Sequence, residues 1–413
     1  MTSPNHNRRT FLQTAAGGMT AFALSPLLDP LLAAPLTSAL NVGVIGIGRQ
    51  GRSIVAELQK IAGVTVSAIA DIDQSRLDAG LRRAQGAKGH IDPNAMLEDA
   101  SINAVFIATP THTHKDIAIA ALQAGKHVYC EAPLAHTVED CRAIAQAARG
   151  ANTMRFAAGL QGRTNPIYTL AWSFVRSGSI RDIVSMRGQH FKKTSWRTPA
   201  SDPARDKLLN WQLDPELSIG LAGEFGTQQF DVFHYFTRKY PISVRGSGSI
   251  RLHNDGRKVA DTIACSMRFD DDTVLQYQAS LANSYEDTHE VIAGTMGAVK
   301  LTWSHGWLFK EADAPTQGWE VYANRQQFHN EEGITLIADA TQLASQGKLK
   351  DGVGLPNDSL YYSLTDFIKA IDESRPPACG AEEGMRATIV GILANQAITT
   401  GEEVLIDEAL LRL

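Results

Sequence analysis

Gly46-Ile47-Gly48-Arg49-Gln50-Gly51 has the residue types and spacing of a phosphate cradle. It follows a β-branched run, Leu40–Ile45, and precedes a helical pattern through Ile54, Leu58 and Ile61. In such a strand–turn–helix unit the first glycine permits the tight turn. The second lets the main chain approach a pyrophosphate, and the third lets helix and strand pack closely. The helix N-terminus turns free N–H groups and a positive dipole end toward the phosphates. A second strand pattern, Val64–Ala70, ends in Asp71, twenty residues after Gly51. A carboxylate there hydrogen-bonds the ribose hydroxyls of NAD and repels the extra phosphate of NADP. Together these features predict an NAD site contacted by Gly46, Ile47, Gly48, Arg49, Gln50, Gly51 and Asp71. Arg49 is the feature that argues for NADP, the lesser alternative.

The elements that must hold this site repeat along the first part of the chain. Strand patterns at Ala104–Ala108, His127–Glu131 and Met154–Ala158 alternate with helical patterns at Lys115–Gln123 and Val138–Arg149. Such alternation predicts parallel βαβ units, a Rossmann-type sheet with helices on both faces. Ligands of these sheets bind beyond the carboxyl ends of the strands. That makes Thr109, Pro110, Glu131, Ala132 and Gln161 further candidate cofactor contacts. After Gln161 the pattern changes. A helix at Pro166–Arg176 precedes strand patterns at Ile183–His190, Ser243–Leu252, Thr262–Phe269, Thr273–Ala282, His289–Ala293 and Ala298–Leu301. Hairpin turns are predicted at Asp270-Asp271-Asp272 and Thr295-Met296-Gly297, giving a mostly antiparallel sheet. Helical patterns return at Leu360–Ser374 and Glu382–Thr399, the later one expected to pack back on the first domain. The reading is a dinucleotide domain over 40–161 and an α+β domain over 162–413.

Composition narrows the function. The chain has 413 residues and a net charge of −5, which gives no electrostatic reason for nucleic acid as a partner. Its four cysteines form no CxxC pair, so no zinc site, metal or redox dithiol is expected. Residues 1–39 differ from the rest. Asn7-Arg8-Arg9-Thr10-Phe11-Leu12 is followed by a mildly apolar stretch, with no acidic residue before Asp29. This is the pattern of a twin-arginine export signal, with Thr37-Ser38-Ala39 offering small residues for cleavage before Leu40. Pro26, Asp29 and Pro30 interrupt the apolar run, so no stable membrane span is expected once the signal is removed. The expected location is periplasmic or secreted.

The stretches VGVIGIGRQGRS, AIADID, ATPTHTH, AGKHVYCEAPLAHTVEDCRAIAQAA and the late IKAIDESRPPA…GMRATIVGILANQAITTGEEV resemble the glucose–fructose oxidoreductase / inositol dehydrogenase / rhizopine-catabolism family. The resemblance covers nearly all of the chain after the signal. It implies a Rossmann domain joined to a domain with an open-faced sheet, hydride transfer between NAD(P) and a sugar or polyol, and assembly into dimers or tetramers. It also adds His114, in ATPTHTH, to the cofactor contacts, and places Trp196-Arg197 near the nicotinamide. Relatives usually carry Glu-Lys-Pro where this chain has Glu131-Ala132-Pro133. They usually carry Asp-x-Gly-x-His-x-x-Asp where it has Glu224-Phe225-Gly226-Thr227-Gln228-Gln229-Phe230-Asp231. The two proton handlers of the family are thus alanine and glutamine, neither of which exchanges a proton near neutral pH.

Three readings follow. The chain is an oxidoreductase with another base, with Glu224 the best-placed candidate, then His190, Lys192, Lys193, and His289 with Glu290. Gln228 is expected in the pocket as a hydrogen-bond donor. Alternatively, it is a glycosidase or lyase that oxidises a sugar hydroxyl transiently, eliminates the glycosidic bond and returns the hydride. The third reading is a non-catalytic dinucleotide or sugar binder. Outside the cytoplasm free nicotinamide cofactor is scarce, so either enzyme would hold its NAD tightly and recycle it in place. Of Trp196, Trp211, Trp303, Trp307 and Trp319, at most two are expected to line the pocket.

Overall fold

The computed structural model describes residues 36–318, 320, 323–338 and 354–413. The twin-arginine stretch up to residue 35, and Trp319, lie outside the described residues. Strands β1 (Leu40–Ile45), β2 (Val64–Ala70), β3 (Lys88–His90), β4 (Ala104–Ile107), β5 (His127–Glu131) and β6 (Phe156–Gly159) form a parallel sheet. Its order is β3-β2-β1-β4-β5-β6, so the strand order reverses between β1 and β4. The short β3 carries no apolar alternation and was not legible in the sequence. Between strands the helices present one apolar stripe each. Arg49–Leu58, for example, buries Gly51, Ile54, Val55 and Leu58. Val138–Gly150 is capped by Thr137, whose hydroxyl accepts from Asp140 N–H, with Glu139 and Asp140 in the first turn and Arg149 in the last.

The second sheet is mostly antiparallel. It comprises β7 (Ile183–Phe191), β8 (Ser243–Ser249), β9 (Thr262–Arg268), β10 (Val274–Ser280), β11 (Thr288–Gly294), β12 (Gly297–Leu301), β13 (Gly306–Lys310), β14 (Arg325–Gln327), β15 (Glu332–Thr335) and β16 (Val404–Leu405). The order is β14-β15-β13-β12-β11-β7-β10-β9-β8-β16, with β7 and β10 paired in parallel. Both expected hairpins form, joining β9 to β10 and β11 to β12. One face buries Met186, Met267, Leu275, Tyr277, Ile292 and Val299. On the other, Arg187, Ala264, Gln276 and Gln278 are exposed, which is the alternation of a half-buried sheet.

Both late helices return to the first sheet. In Ser359–Asp372, Phe367 packs on Phe106 and Tyr129, with ring centroids 5.5 and 5.8 Å apart. Ser363 Oγ lies 3.0 Å from Tyr129 Oη. Aromatic pairs of this kind contribute about 0.5–1.5 kcal/mol beyond burial itself. The later helix, Ala381–Thr400, lies against both sheets. A Cβ at Gly384 would strike Ala158 and Leu134, and a Cβ at Gly246 of β8 would strike Ile398. All four cysteines are free and buried. Among the described residues no helix is long and apolar enough to cross a membrane, and no group of three or more His, Cys, Asp or Glu side chains could hold a metal ion.

Candidate active site

The glycine loop leaves β1 at the reversal of strand order. Gly46 has φ +89°, a conformation that L side chains rarely adopt, and a Cβ there would also strike the Ala108 carbonyl. A Cβ on Gly51 would fall on the Gly46 carbonyl oxygen, so this position must stay bare for helix and strand to pack. Over Gly48 the space is open, and the nearest group to a Cβ there is the Arg76 guanidinium at 3.7 Å. Asp71 closes the other side. Its Oδ2 accepts from Ile47 N–H at 2.7 Å and its Oδ1 from Asp73 N–H at 2.9 Å. Each oxygen keeps a lone pair for a ribose hydroxyl. The loop therefore fits an adenosine pyrophosphate. Ile72, 61% exposed beside Asp71, is an apolar surface for the adenine. Gln50 reaches from the loop to β5, where its amide donates to Glu131 Oε1 at 3.0 Å. Burial pushes the Glu131 carboxyl up to about 7, against the lowering pull of Gln50 and of the Ala132 main chain. Arg49 is exposed.

The second sheet brings its own acid to the same crevice. The short helix Gly220–Glu224 ends at Glu224, and Thr111, just beyond β4, donates to Glu224 Oε2 at 3.3 Å. Enclosure by protein pushes the Glu224 carboxyl up to about 8, although Thr111 and the Ile219 main chain pull the other way. The neighbouring Phe225 ring is stacked on His190 at 3.8 Å and packs against Trp196 at 5.1 Å. Glu224, His190 and Trp196 are thus gathered around one phenylalanine. Burial lowers the His190 pKa to about 4, while its Nδ1 lies 3.0 Å from Thr288 Oγ1. The ring is therefore neutral at pH 7.

Other expected site residues are committed elsewhere. Gln228 turns its amide to the main chain, with one N–H and the oxygen committed there. Its Nε2 donates to Gly159 O at 2.6 Å, and its Oε1 accepts from Gln161 N–H at 3.1 Å. It therefore clasps the end of β6 and takes up the N–H of Gln161, itself an expected cofactor contact. His114 is likewise spent. Its Nδ1 and Nε2 lie 3.0 and 2.8 Å from the carbonyl oxygens of Pro133 and Thr109, and since burial lowers its pKa to about 4, the neutral ring donates to one of the two. Pro110 O takes both the N–H and the hydroxyl of Thr113, whose oxygen is then free to accept from the Thr109 hydroxyl 2.8 Å away, so this loop is held rigid from within. Ala132 is half-buried and joined to Pro133 by a cis peptide. Lys193 and Lys192 are exposed, and the Lys193 main chain is what is held, by Ser284 Oγ at 2.8 Å. Arg197 pairs with Asp255 and Asp206, not with the Glu224 cluster. His289 and Glu290 face opposite sides of β11. Glu290 is buried, bonded by Tyr168 and Gln229. Asp231, the last motif position, forms a buried ion pair with Arg163, Nη2 to Oδ1 2.7 Å. Trp303 packs on Tyr168 and Trp307 on Phe328, which leaves Trp196 and Trp211 on the side of the crevice.

Four residues escaped the sequence reading. Arg205, in the helix Pro203–Leu209, crosses to the nucleotide side and pairs with Asp73 at 2.7 Å, two residues past Asp71. Burial alone would raise the Asp73 carboxyl, but bonds from Ser75, Arg205 and Arg76 N–H hold it at about 2. Nothing in a lone arginine 132 residues away signals this contact. His112 and His136 stand together, ring centroids 6.1 Å apart, and Trp211 packs on His112 at 5.7 Å. The signal was present in Thr111-His112-Thr113-His114, where a strand exit carries two histidines of opposite facing.

The comparisons with known proteins give the family and the fold. The profile of an oxidoreductase family with an NAD-binding Rossmann fold matches residues 40–159. Its companion, the C-terminal alpha/beta domain of that oxidoreductase family, matches residues 173–406. Myo-inositol 2-dehydrogenase of Thermotoga maritima is 23% identical over 371 residues, covering 90% of this chain and all of the relative. Levoglucosan dehydrogenase of Pseudarthrobacter phenanthrenivorans is 30% identical over 210 residues, 49% of this chain and 52% of the relative. At that level of identity the chain spans about half the relative's length. Among solved structures, a levoglucosan dehydrogenase in complex with NADH superposes with a TM-score of 0.72 at 22% identity, covering 89% of this chain and 99% of the other. An aldose-aldose oxidoreductase from Caulobacter crescentus complexed with glycerol reaches 0.68 at 18% identity, with the same coverage. These structural likenesses show the fold.

Proposed function

The chain belongs to the glucose–fructose oxidoreductase / inositol dehydrogenase / rhizopine-catabolism family of NAD-binding oxidoreductases, and from that premise we propose that it oxidises a hydroxyl of a sugar, polyol or glycoside with a tightly held NAD recycled in place. The observation that carries the reading is Glu224. It is an acid pushed up to about 8, bonded to Thr111 at the carboxyl end of β4. A titratable group so displaced in a ligand crevice is a mark of function. When bound, the dinucleotide supplies a nicotinamide that accepts a hydride from the carbinol carbon. The chain's own residues do the rest. Gly46 to Gly51 and Asp71 hold the nucleotide, and the Glu224 carboxyl, uncharged at pH 7, donates a hydrogen bond to the substrate oxygen. Trp211, which is partly exposed, offers a flat apolar face to sugar C–H groups, while the buried Trp196 backs Phe225 behind Glu224.

The Arg8-Arg9 signal supports export of the folded chain with its cofactor aboard, to the periplasm or beyond. The exposed face of the second sheet suits assembly into dimers or tetramers. A second reading, transient oxidation followed by glycosidic elimination, is favoured by the same acid, since a protonated Glu224 suits a leaving glycosidic oxygen.

The test is to mix the purified full chain with free sugars, polyols and glycosides, following bound-NADH absorbance and products. Accumulating keto-sugar supports the oxidoreductase. Transient reduction with a released aglycone supports the elimination pathway. Bound NAD that no sugar reduces overturns both in favour of the binder.

A further inference from the structure

We propose, resting on the oxidoreductase reading above, that His112 is the proton acceptor that replaces the alanine and glutamine of this chain, with His136 passing the proton on. The placement carries the argument. His112 adjoins Thr111, whose hydroxyl bonds Glu224, so it lies at the carboxyl end of β4 beside the reversal of strand order. Ligands of doubly wound sheets bind there. His136 follows the Glu131-Ala132-Pro133 turn, at the end of the adjacent β5. The two rings meet edge to face, and the indole of Trp211 covers His112 from the second domain. The Nδ1 atom of each is enclosed by protein and has no hydrogen-bond partner among the described residues. Two neighbouring imidazoles with an unfilled nitrogen each are costly unless something else fills them.

The charged and titratable neighbours favour this role. His112 faces His136 from the loop after β5, Asp214 from beyond the Trp211–Leu213 turn, and Glu224 through Thr111. His136 faces Asp140 of the Val138–Gly150 helix, Nδ1 to Oδ2 3.9 Å, and is 24% exposed. Burial first, then His136, lowers the His112 pKa, which favours the uncharged imidazole with a free lone pair. Glu224, by contrast, is protonated at pH 7. Two groups pushed in opposite directions make an acid and a base of one site. In the step, the substrate O–H bond breaks and an N–H bond forms on His112. The electron pair left on oxygen becomes the second bond of the carbonyl as the carbinol hydride departs to NAD, the oxidant already required. The proton then leaves through His136, which one bridging water would reach.

The test uses the full chain with bound cofactor and has two readouts. In the first, ¹³C-labelled histidine resonances are assigned with H112N and H136N and titrated in the NAD⁺ and NADH forms. The positive nicotinamide disfavours a nearby imidazolium, so His112 is expected to titrate about one pH unit lower in the NAD⁺ form. In the second, H112A and H112N, checked for fold by circular dichroism and for NADH binding, are expected to slow sugar-dependent reduction about 10²-fold or more, with imidazole restoring part of the rate in H112A. A His112 titration that ignores the cofactor's charge, or an H112A chain at wild-type rate, overturns the proposal alone. A wild-type chain whose bound NAD no sugar reduces overturns the oxidoreductase reading and this proposal with it.

Discussion

The Thr111 hydroxyl donates to the Glu224 carboxyl group across 3.3 Å, joining the exit of β4 to the last turn of the Gly220–Glu224 helix. One acid is therefore held by both halves of the molecule. In this pairing enclosure wins over hydrogen bonding, since the carboxyl is pushed up to about 8 despite Thr111.

Glu224 is expected to shape the pH profile of the reaction. The acid is protonated below about 8. E224Q keeps the shape and a hydrogen-bond donor but cannot ionise, so the step in rate near pH 8 disappears while kcat below it stays within about tenfold of wild type, with NADH affinity kept. T111V removes a bond that lowers this pKa, so its step moves to higher pH. Stopped-flow reduction of bound NAD over pH 6 to 10 measures both. An E224Q profile that keeps the wild-type step assigns it to another group.

The same acid sets a stability trend. Its ordinary value is 4.5 and its folded value about 8, so between these the folded chain holds a proton that the unfolded chain has lost. Stability then falls as pH rises across that window. Glu131 and Glu290, pushed up by burial to about 7, add the same sign over a narrower range. E224Q has nothing to lose there. Its Tm is expected to gain on wild type between pH 5 and 8.5, read by thermal scans at fixed cofactor load. Parallel curves would place the Glu224 pKa in the ordinary range.

How far the sequence carried depended on the range of each interaction. The glycine loop, Asp71 and the parallel order were legible because their signals are local: φ at Gly46, apolar periods, a carboxylate closing β2. The hairpins of the second sheet were legible for the same reason. Gln228 was not. Its residue type suggested a donor for substrate, but its amide bonds the main chain at Gly159 O and Gln161 N–H, contacts that no sequence pattern signals. His114 went the same way. Strand β13 was missed although it is as long as β12, and the edge strands β14 and β16 carry too few residues for a period to show. The Phe367 cluster and the Arg205 contact join residues far apart in the chain, where pattern has nothing to say.

Arg205 is expected to govern how long NAD stays. It binds Asp73 through Nε and donates to Ser75 through Nη2 at 2.7 Å, closing the Pro203–Leu209 helix beside the ribose carboxylate Asp71. The pair is partly exposed, so its contribution is modest and screened by salt. R205A is expected to raise the NADH dissociation rate about three- to tenfold, while wild-type dissociation quickens with salt and the variant's does not. Fluorescence displacement in low and high salt reads this out. An unchanged rate in R205A would mean the helix is not a retaining strap.

Arg163 and Asp231 form the opposite kind of pair. The side chains are 8% and 1% exposed, and the carboxylate takes bonds from both Nε and Nη2 of the arginine. Arg163 belongs to the turn after β6 and Asp231 to the Gly226–Thr237 helix, so the pair bolts the first sheet's end to the helix that carries Gln228. Removing one partner leaves a buried charge without its counterion, which costs about 3–5 kcal/mol. R163M or D231N is therefore expected to lower the unfolding free energy by about that much. A double variant with both charges gone is expected to recover part of the loss, because nothing ionic is then left stranded. Urea unfolding of the four chains, closed as a double-mutant cycle, measures the coupling. Single variants as stable as wild type would show that water reaches this pair and that the bolt lies elsewhere.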